Sequence, residues 1–218
     1  MFTIILLITI SLYKYQSGFL PKHSTVYQLL ELHNSILNSL EKTEFSCFVF
    51  CEFSTAFDKA WHKGLIHTMN SYGIQWELIK WFENYMFKRT QKVINKNSWS
   101  CFEPVSAGVP QGSVLDPLMF LIYINDIGEK FISLSRLFAD DTSLRYSSQS
   151  VDQIKTVINH DLFELNSWSS KWLVSFNPEK TEILFFSKTG NIDNMEFSFN
   201  GISIGELSSS KMQNGMNI

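Results

Sequence analysis

FSCFVFCEF, residues 45–53, is a nearly continuous run of apolar and β-favouring residues that contains a single acid, Glu52. Such a run predicts a central strand that is buried on both faces of a sheet. A carboxylate in such a strand is costly unless a cation or hydrogen-bond donors compensate its charge. Glu52 therefore indicates either the edge of the strand or a functional site in which the negative charge of the carboxylate is needed.

Helices and strands alternate along the rest of the chain. In the first predicted helix, apolar residues recur from Val26 to Leu40 at the three-and-four spacing of a buried helix face. Helices are predicted at residues 25–41, on both sides of 71–73 within 61–88, at about 114–127 and at 151–173. Further strands are predicted at 89–102, in two parts of 133–146, at 181–187 and at 197–204. With no long linker, this pattern predicts one compact α+β unit with antiparallel strand pairs.

Composition narrows the class of protein. Of the 218 residues, 44% are hydrophobic and 18% are charged, which excludes disorder, collagen and coiled coil for the whole chain. The net charge is -3, and only three of the 18 basic residues are arginine. These two features argue mildly against a protein that grips a polyanion over a long surface.

The N-terminal stretch MFTIILLITISL, residues 1–12, is apolar. It is shorter than the roughly 20 residues that span a bilayer, and it lacks a basic segment and a cleavage site. A targeting role is therefore discounted, and no membrane association is predicted.

A second acidic feature lies in RLFADDTSL, where Asp140 and Asp141 are predicted at the tip of a hairpin. Several carboxylates that are desolvated together need cations, and oxygen ligands without histidine or thiolate favour Mg²⁺. Two such ions can hold the attacking and leaving oxygens of a phosphoryl displacement, which indicates nucleotidyl transfer. The alternative is an ordinary Asp-rich surface turn.

Five blocks of sequence, in order and at compatible spacing, resemble the reverse transcriptase domain of non-LTR retrotransposons, particularly the jockey-like and LINE-type elements. The blocks are Gln16–Thr25, Phe50–His62, Ala107–Leu115, Phe138–Asp141 and Asn177–Thr181. The resemblance implies a right-hand polymerase palm, an antiparallel sheet flanked by helices, with partial fingers and the thumb missing. It divides the chain into a divergent N-terminal segment (1–15), a reverse transcriptase domain (16–206) and a polar tail (207–218).

The resemblance also implies metal ligands and a residue below the sugar. Glu52 stands where the family has a metal-binding aspartate, and Asp140 and Asp141 match the acids of the family's F/Y-x-D-D hairpin. Together they would bind two Mg²⁺ ions, with Mn²⁺ as a possible substitute. Phe57 matches the aromatic residue that disfavours a ribose 2′-hydroxyl, although simple core packing is an equally good explanation of a phenylalanine here.

Other matched positions concern the incoming nucleotide. Gln111 and Gly112 lie in the loop that meets the nascent base pair, and Lys180 matches a candidate acid for the pyrophosphate leaving group. A solvated lysine after a proline turn is the competing view of Lys180. Lys22 is the nearest cation that would replace the family's triphosphate-binding arginine. Asp116 replaces a usual glycine and predicts either strain in the loop or an added first-turn charge.

The implied activity is RNA-directed DNA polymerisation, with an RNA template, a DNA primer and dNTPs as partners and no obligate protein partner. Because Glu52 is one methylene longer than aspartate and the thumb is missing, impaired activity is predicted. A nucleus or cytoplasm location is expected for a retroelement protein. The alternatives are an inactive nucleic-acid-binding remnant and another right-hand polymerase, such as an intron-type reverse transcriptase or an RNA-dependent RNA polymerase.

Overall fold

In a computed structural model, which describes residues 11–188, 197–199, 201–204 and 208–209, helices and strands alternate as predicted. The helices are α1 (Thr25–Glu41), α2 (Ala56–Lys59), α3 (His62–Ser71), α4 (Trp76–Met86), α5 (Asp116–Tyr123) and α6 (Val151–Lys171). The strands are β1 (Phe45–Cys51), β2 (Thr90–Gln91), β3 (Ile94–Asn95), β4 (Ser98–Trp99), β5 (Glu103–Pro104), β6 (Leu134–Phe138), β7 (Asp141–Ser148), β8 (Glu182–Phe186), β9 (Phe197–Phe199), β10 (Ile202–Ile204) and β11 (Ser208–Ser209). A 3₁₀ helix, Pro178–Lys180, precedes β8.

Some predicted segments lie outside the described residues. They are residues 1–10 of the apolar N-terminal stretch, Leu207 and residues 210–218 of the polar tail, and Asn200 in the predicted turn between β9 and β10. None of the helices in the described ranges is both long enough and apolar enough to cross a membrane.

The chain divides into two compact units, each assembled from segments that are distant in the sequence. Among the described residues, the first unit contains 11–14, 55–126 and 171–174, and the second contains 15–54, 127–170 and those from 175 onward. The chain passes between the units at several points without a long linker. Composition therefore does not mark the division, because boundaries are recognised in sequence mainly by such linkers.

The second unit is built on a sheet whose described strands have the order β11-β8-β1-β7-β6. β1 pairs antiparallel with β7 and β8, and β6 pairs antiparallel with β7. β11 adds to the β8 edge in the parallel direction. The predicted antiparallel sheet is confirmed, with this one parallel strand at its edge.

β1 lies in the middle of the sheet and is buried on both faces. Successive side chains of a strand point to opposite faces, and Cys47, Phe48 and Val49 are all buried. On one face, Phe48 packs against Ile36 and Leu40 of α1. The prediction of a doubly buried central strand is confirmed for Phe45–Cys51, and the strand ends before Glu52.

The first half of α1 differs from its prediction. Val26, Leu29 and Leu30 are more than half exposed, whereas Ile36 and Leu40 are buried. Apolar periodicity identifies an amphipathic helix, but it does not show how much of the helix a sheet covers. Because the packing on β1 involves the C-terminal half of α1, the prediction of a buried face is wrong for the N-terminal half.

The first unit combines short helices with two small strand pairs. α3 ends at Ser71, Gly73 has a φ of 73°, and α4 begins at Trp76, so the predicted helix break is confirmed. α5 ends at Tyr123 and is shorter than predicted. The strand predicted at 89–102 forms nested antiparallel pairs, β2 with β5 and β3 with β4.

Asp161 on α6 is a buried carboxylate with several donors in the second unit. It accepts hydrogen bonds from the backbone N–H groups of Ile132, at 2.9 Å, and Ser133, at 2.8 Å. Nδ1 of His160 lies 3.0 Å from the same carboxylate. Asp161 therefore fixes the start of the segment that leads into β6.

We expect Asp161→Ala to lower the free energy of unfolding by about 3 kcal/mol, because two backbone donors lose a charged acceptor. Urea denaturation monitored by circular dichroism measures the change. Ser167→Ala, at an exposed position of the same helix, is the control, and it should change the free energy by less than about 0.5 kcal/mol. Equal stability of Asp161→Ala and the unsubstituted chain would contradict the structural role of this carboxylate.

Candidate active site

Asp140 and Asp141 lie where β6 turns into β7. Phe138 pairs with Asp141, so Ala139 and Asp140 form a two-residue turn, and Ala139 has a φ of 57°. Asp141 is exposed and Asp140 is partly exposed. The predicted hairpin with two acids at its tip is confirmed, and we call residues 138–141 the acid turn.

Gln16 and Gly18 hold the acid turn through its main chain. The buried Gln16 side-chain oxygen accepts from the N–H of Ala139, at 3.0 Å, and from the N–H of Gly18, at 2.7 Å. A Cβ atom on Gly18 would lie 2.0 Å from the backbone nitrogen of Ala139. Sequence reasoning assigned neither residue a role, because only the fold brings the first block next to the acid turn.

Glu52 lies directly after β1 and pairs with Lys180, with 2.6 Å between Oε1 and Nζ. The main chain brings the two residues close together, because the N–H of Asn177 donates to the Glu52 carbonyl at 2.9 Å and the 3₁₀ helix begins at the next residue. The Lys180 and Glu52 side chains are 57% and 44% exposed. An exposed ion pair contributes at most about 1 kcal/mol to the free energy of unfolding. The Glu52–Lys180 pair therefore matters mainly because it holds the two side chains next to each other.

The acid turn and Glu52 affect each other electrostatically. The pKa of Asp141 is raised above its ordinary value, first by burial and then by the negative charges of Asp140 and Glu52. In the arrangement that the structure describes, no three acidic, histidine or cysteine residues form a group that could hold a metal ion, and the Glu52 carboxylate contacts Lys180 instead. The donor set still fits a divalent cation, because its oxygens are hard ligands and their mutual repulsion would be relieved by positive charge.

A cavity of about 560 Å³ borders Glu52 and Asp141 within the second unit. α1 supplies polar and apolar side chains to its wall, and the other lining residues belong to β1, β6, β7 and β8 or are Glu52 and Lys180. The Cys51 thiol in the wall has a pKa raised to about 12 by burial, so it is protonated and is no nucleophile at neutral pH. Lys22 is exposed in the turn before α1 and is not among the described residues that line this cavity.

Gln111 lies in the first unit, where its side-chain nitrogen donates to Oδ1 of Asp58 at 2.6 Å. Gly108 allows the loop to approach this segment, because it has a φ of 89° and a Cβ there would lie 2.8 Å from the Asp58 carbonyl oxygen. Its N–H donates to the Ala60 carbonyl at 2.8 Å. Sequence reasoning missed Asp58 as the partner of Gln111, although it lies in the A-F-D turn of the first palm block.

Gly112 and Asp116 shape the same loop. Gly112 has a φ of 84°, and a Cβ would meet no described atom within 4 Å, so the glycine is needed for its backbone conformation. Its N–H donates to Oδ2 of Asp116 at 2.8 Å, and the Asp116 N–H donates to Oγ of Ser113 at 3.1 Å. Of the two predictions for Asp116, a first-turn charge on α5 agrees with the structure and loop strain does not.

Phe57 in the first unit stacks on Phe120, with ring centroids 4.4 Å apart and an interplanar angle of 29°. Its side chain is partly buried. This contact agrees with the packing explanation of Phe57, and contact with a sugar stays a prediction.

The predicted site residues therefore fall in both units. Those of the second unit are Lys22, Glu52, Asp140, Asp141 and Lys180, and those of the first are Phe57, Gln111 and Gly112. Within the second unit, the structure brings Glu52, Lys180 and the acid turn together and leaves Lys22 outside their cavity.

We expect Asp141→Asn to raise the melting temperature by a few degrees at pH 7 in buffer with EDTA. A carboxyl whose pKa is raised by folding stabilises the folded state only while it is protonated, and this contribution is lost as the pH rises through the folded pKa. Below the ordinary pKa of 3.8, the two proteins should converge. Thermal melts at pH 7 and below pH 3.8 check this pH dependence, with Asp152→Asn on the exposed side of α6 as control. A difference that does not vary with pH would contradict it.

Solved telomerase structures share this fold. Telomerase from Candida albicans, in complex with a TWJ fragment of telomeric RNA, superposes with a TM-score of 0.63 at 10% identity, over 92% of this chain and 35% of that one. Apo telomerase from Candida tropicalis, truncated from its C-terminal domain, superposes with a TM-score of 0.61 at 15% identity, over 87% of this chain and 39% of that one. At these identities the similarity shows the fold alone, which is the right-hand polymerase fold with its palm sheet.

The family follows from the sequence match. Residues 5–204 match the family described as reverse transcriptase (RNA-dependent DNA polymerase), and the chain belongs to this family. It is 32% identical over 181 residues to the probable RNA-directed DNA polymerase from transposon BS of Drosophila melanogaster, covering 77% of this chain and 19% of that protein. The RNA-directed DNA polymerase from mobile element jockey of the same species is 29% identical over 195 residues, covering 84% of this chain and 21% of that protein.

The chain thus spans about a fifth of the length of the curated relatives it matches. These relatives confirm the resemblance to retrotransposon reverse transcriptases. They do not favour the intron-type or RNA polymerase alternatives.

Proposed function

We propose that this chain forms the palm and part of the fingers of an RNA-directed DNA polymerase, which adds deoxynucleotides to a DNA primer on an RNA template. The main support is the acid turn beside Glu52 and Lys180 in a member of the reverse transcriptase family. The RNA in the telomerase complex and the names of the transposon polymerases agree with this substrate class.

Asp140, Asp141 and Glu52 would hold two Mg²⁺ ions, which Mn²⁺ could replace. When bound, these ions would activate the primer 3′-hydroxyl and stabilise charge on the reacting phosphate. The raised pKa of Asp141 supports this assignment, because both causes of the rise, burial first and then the negative charges of Asp140 and Glu52, favour a bound cation.

Lys180 would donate a proton to the departing pyrophosphate. Its contact with Glu52 keeps the ammonium group close to the acid turn before substrate binds. Lys22 would attract the triphosphate as a point charge. In the first unit, Phe57 would lie under the deoxyribose, and Gln111 and Gly112 would meet the nascent base pair.

A primer-extension assay tests the proposal. The purified chain is incubated with Mg²⁺, an RNA template, a labelled DNA primer and either dNTPs or NTPs, and we expect extension with dNTPs only. The double variant Asp140→Asn/Asp141→Asn should lose at least about 10²-fold in rate, while Asp152→Asn should retain the full rate. Extension by the double variant at the unsubstituted rate would refute the assignment, and RNA binding without any extension would refute polymerase activity of this chain.

A further inference from the structure

Residues 88–104 form an exposed and positively charged segment on the first unit. Every residue of the segment is exposed. It contains the cations Lys88, Arg89, Lys92 and Lys96 and one acid, Glu103, in a chain whose net charge is -3. The cations are therefore concentrated in this segment, and the net charge of the whole chain does not report this local excess of positive charge.

Two aromatic rings lie on this segment with a cation above them. Nζ of Lys92 is 3.9 Å from the ring centroid of Trp99 and 4.8 Å from that of Phe102. The two residues are 61% and 64% exposed. The rings are therefore held at the surface beside a positive charge, where they remain open to a ligand.

The strand pairing makes this arrangement a fixed platform. Ile94 pairs with Trp99 across the β3–β4 hairpin. Beyond the hairpin, the Val93 N–H donates to Ser100 Oγ at 2.9 Å and the Ser100 N–H donates to the Val93 carbonyl at 3.0 Å. The outer pair, β2 with β5, ties the base of the segment.

The platform continues into a polar cleft of the same unit. The cleft has a volume of about 720 Å³, and its wall includes Arg89, Gln91 and Gln111. Arg89 also lies over the ring of Tyr85, 5.4 Å from its centroid. A ligand that follows the cations from Lys96 to Arg89 therefore reaches the residue predicted to meet the base pair.

Cations interleaved with exposed aromatic rings suit single-stranded nucleic acid. Phosphates are attracted by the cations, and bases stack on the rings with little dependence on sequence. A protein partner is disfavoured, because lysine is depleted at the centres of protein interfaces.

We propose that the basic-aromatic platform, formed by Lys88, Arg89, Lys92, Lys96, Trp99 and Phe102, binds single-stranded nucleic acid. Bases stack on Trp99 and Phe102, and phosphates lie against the cations. In the cell the ligand would be the template strand of the proposed function, but the binding itself requires neither metal nor nucleotide incorporation.

Helix α4 provides a matched control surface in the same unit. Trp76 is 57% exposed, and Nζ of Lys80 lies 5.0 Å from its ring centroid. Here the tryptophan is followed by Glu77, and Glu83 lies further along the same helix. The two sites share an exposed ring with a lysine above it and differ in the surrounding charge.

The test is fluorescence anisotropy of a labelled 20-nucleotide single-stranded RNA, titrated with the full chain in EDTA at several salt concentrations. We expect Trp99→Ala and Phe102→Ala each to raise Kd roughly tenfold. The triple variant Lys88→Gln/Lys92→Gln/Lys96→Gln should reduce the slope of log K against log salt by about two. Trp76→Ala should leave Kd within about twofold. Single-stranded DNA of the same sequence should respond in the same way, because stacking and phosphate contacts do not read the 2′-hydroxyl.

Unchanged RNA affinity in Trp99→Ala and in the triple variant would overturn the inference. So would an effect of Trp76→Ala as large as that of Trp99→Ala. Loss of self-association in Trp99→Ala, measured by sedimentation and with RNA affinity unchanged, would identify a protein interface instead. Because the binding assay contains EDTA and no dNTPs, failure of the polymerase assay and failure of the platform are separate results.

Discussion

Glu52→Asp is expected to raise the rate of primer extension by up to about 10²-fold. Aspartate is shorter by one methylene, which moves the carboxylate by roughly 1.5 Å. The shorter side chain loses the 2.6 Å contact with Lys180 unless the lysine follows it. Misplacement of a reacting group by about 1 Å can reduce a rate 10²-fold. A carboxylate that is correctly placed for the cation proposed to bind at the acid turn should therefore recover much of that loss.

The measurement is single-nucleotide primer extension with Mg²⁺, and its control is Glu129→Asp, which makes the same change at an exposed position of the second unit. Binding of Mn²⁺, followed by electron paramagnetic resonance, gives a second readout that does not depend on turnover. Glu52→Asp should bind Mn²⁺ more tightly, and Glu52→Gln more weakly. Equal extension rates for the Glu52→Asp variant and the unsubstituted chain, together with equal Mn²⁺ affinities, would show that the extra methylene is harmless.

Gly18→Ala is expected to disrupt the acid turn. The new Cβ would lie 2.0 Å from the Ala139 nitrogen, and backbone must move to admit it. We expect a loss of about 3 kcal/mol in the free energy of unfolding, the upper end for overpacking. We also expect at least about a 10²-fold loss in primer extension, because the carboxylates of Asp140 and Asp141 move with the turn.

Urea denaturation and primer extension measure the two effects, and hydrogen exchange at the Ala139 amide reports on the turn itself. Gly73→Ala is the control, because Gly73 also needs a positive φ but has open space around its Cβ position. Gly73→Ala should lower the free energy of unfolding by about 1 kcal/mol and leave the rate of primer extension unchanged. Unaltered hydrogen exchange at the Ala139 amide in the Gly18→Ala protein would mean that the acid turn does not depend on the close contact between the Gly18 and Ala139 backbones.

Local sequence patterns predicted most of the fold. The run from Phe45 and the two acids between short strands correspond to β1 and to the β6–β7 hairpin. Periodicity failed for the first half of α1, because spacing shows which residues share a face and not what covers that face. The residues around Trp99 alternate like a long strand, but β3 and β4 have two residues each, because the chain reverses its direction at residues 96–97 between them.

The candidate site was predictable only as a set of residue types. Sequence motifs identified Glu52, Lys180 and the acid pair, and the fold places these residues together in the second unit. The ion pair of Glu52 with Lys180 joins residues 128 positions apart, and no local pattern reports it. Asp58 as the partner of Gln111 was missed for the same reason.

The hydrogen bond from Ala139 to Gln16 spans 123 positions, and this separation has a consequence for folding kinetics. β6 and β7 are neighbours in sequence and can pair early, whereas closing a long loop is entropically slow. The Gln16 side chain can accept from the Ala139 N–H only after the segment around Gln16 docks. The carboxylates of Asp140 and Asp141 are therefore set in place late, after the sheet that supports them has formed.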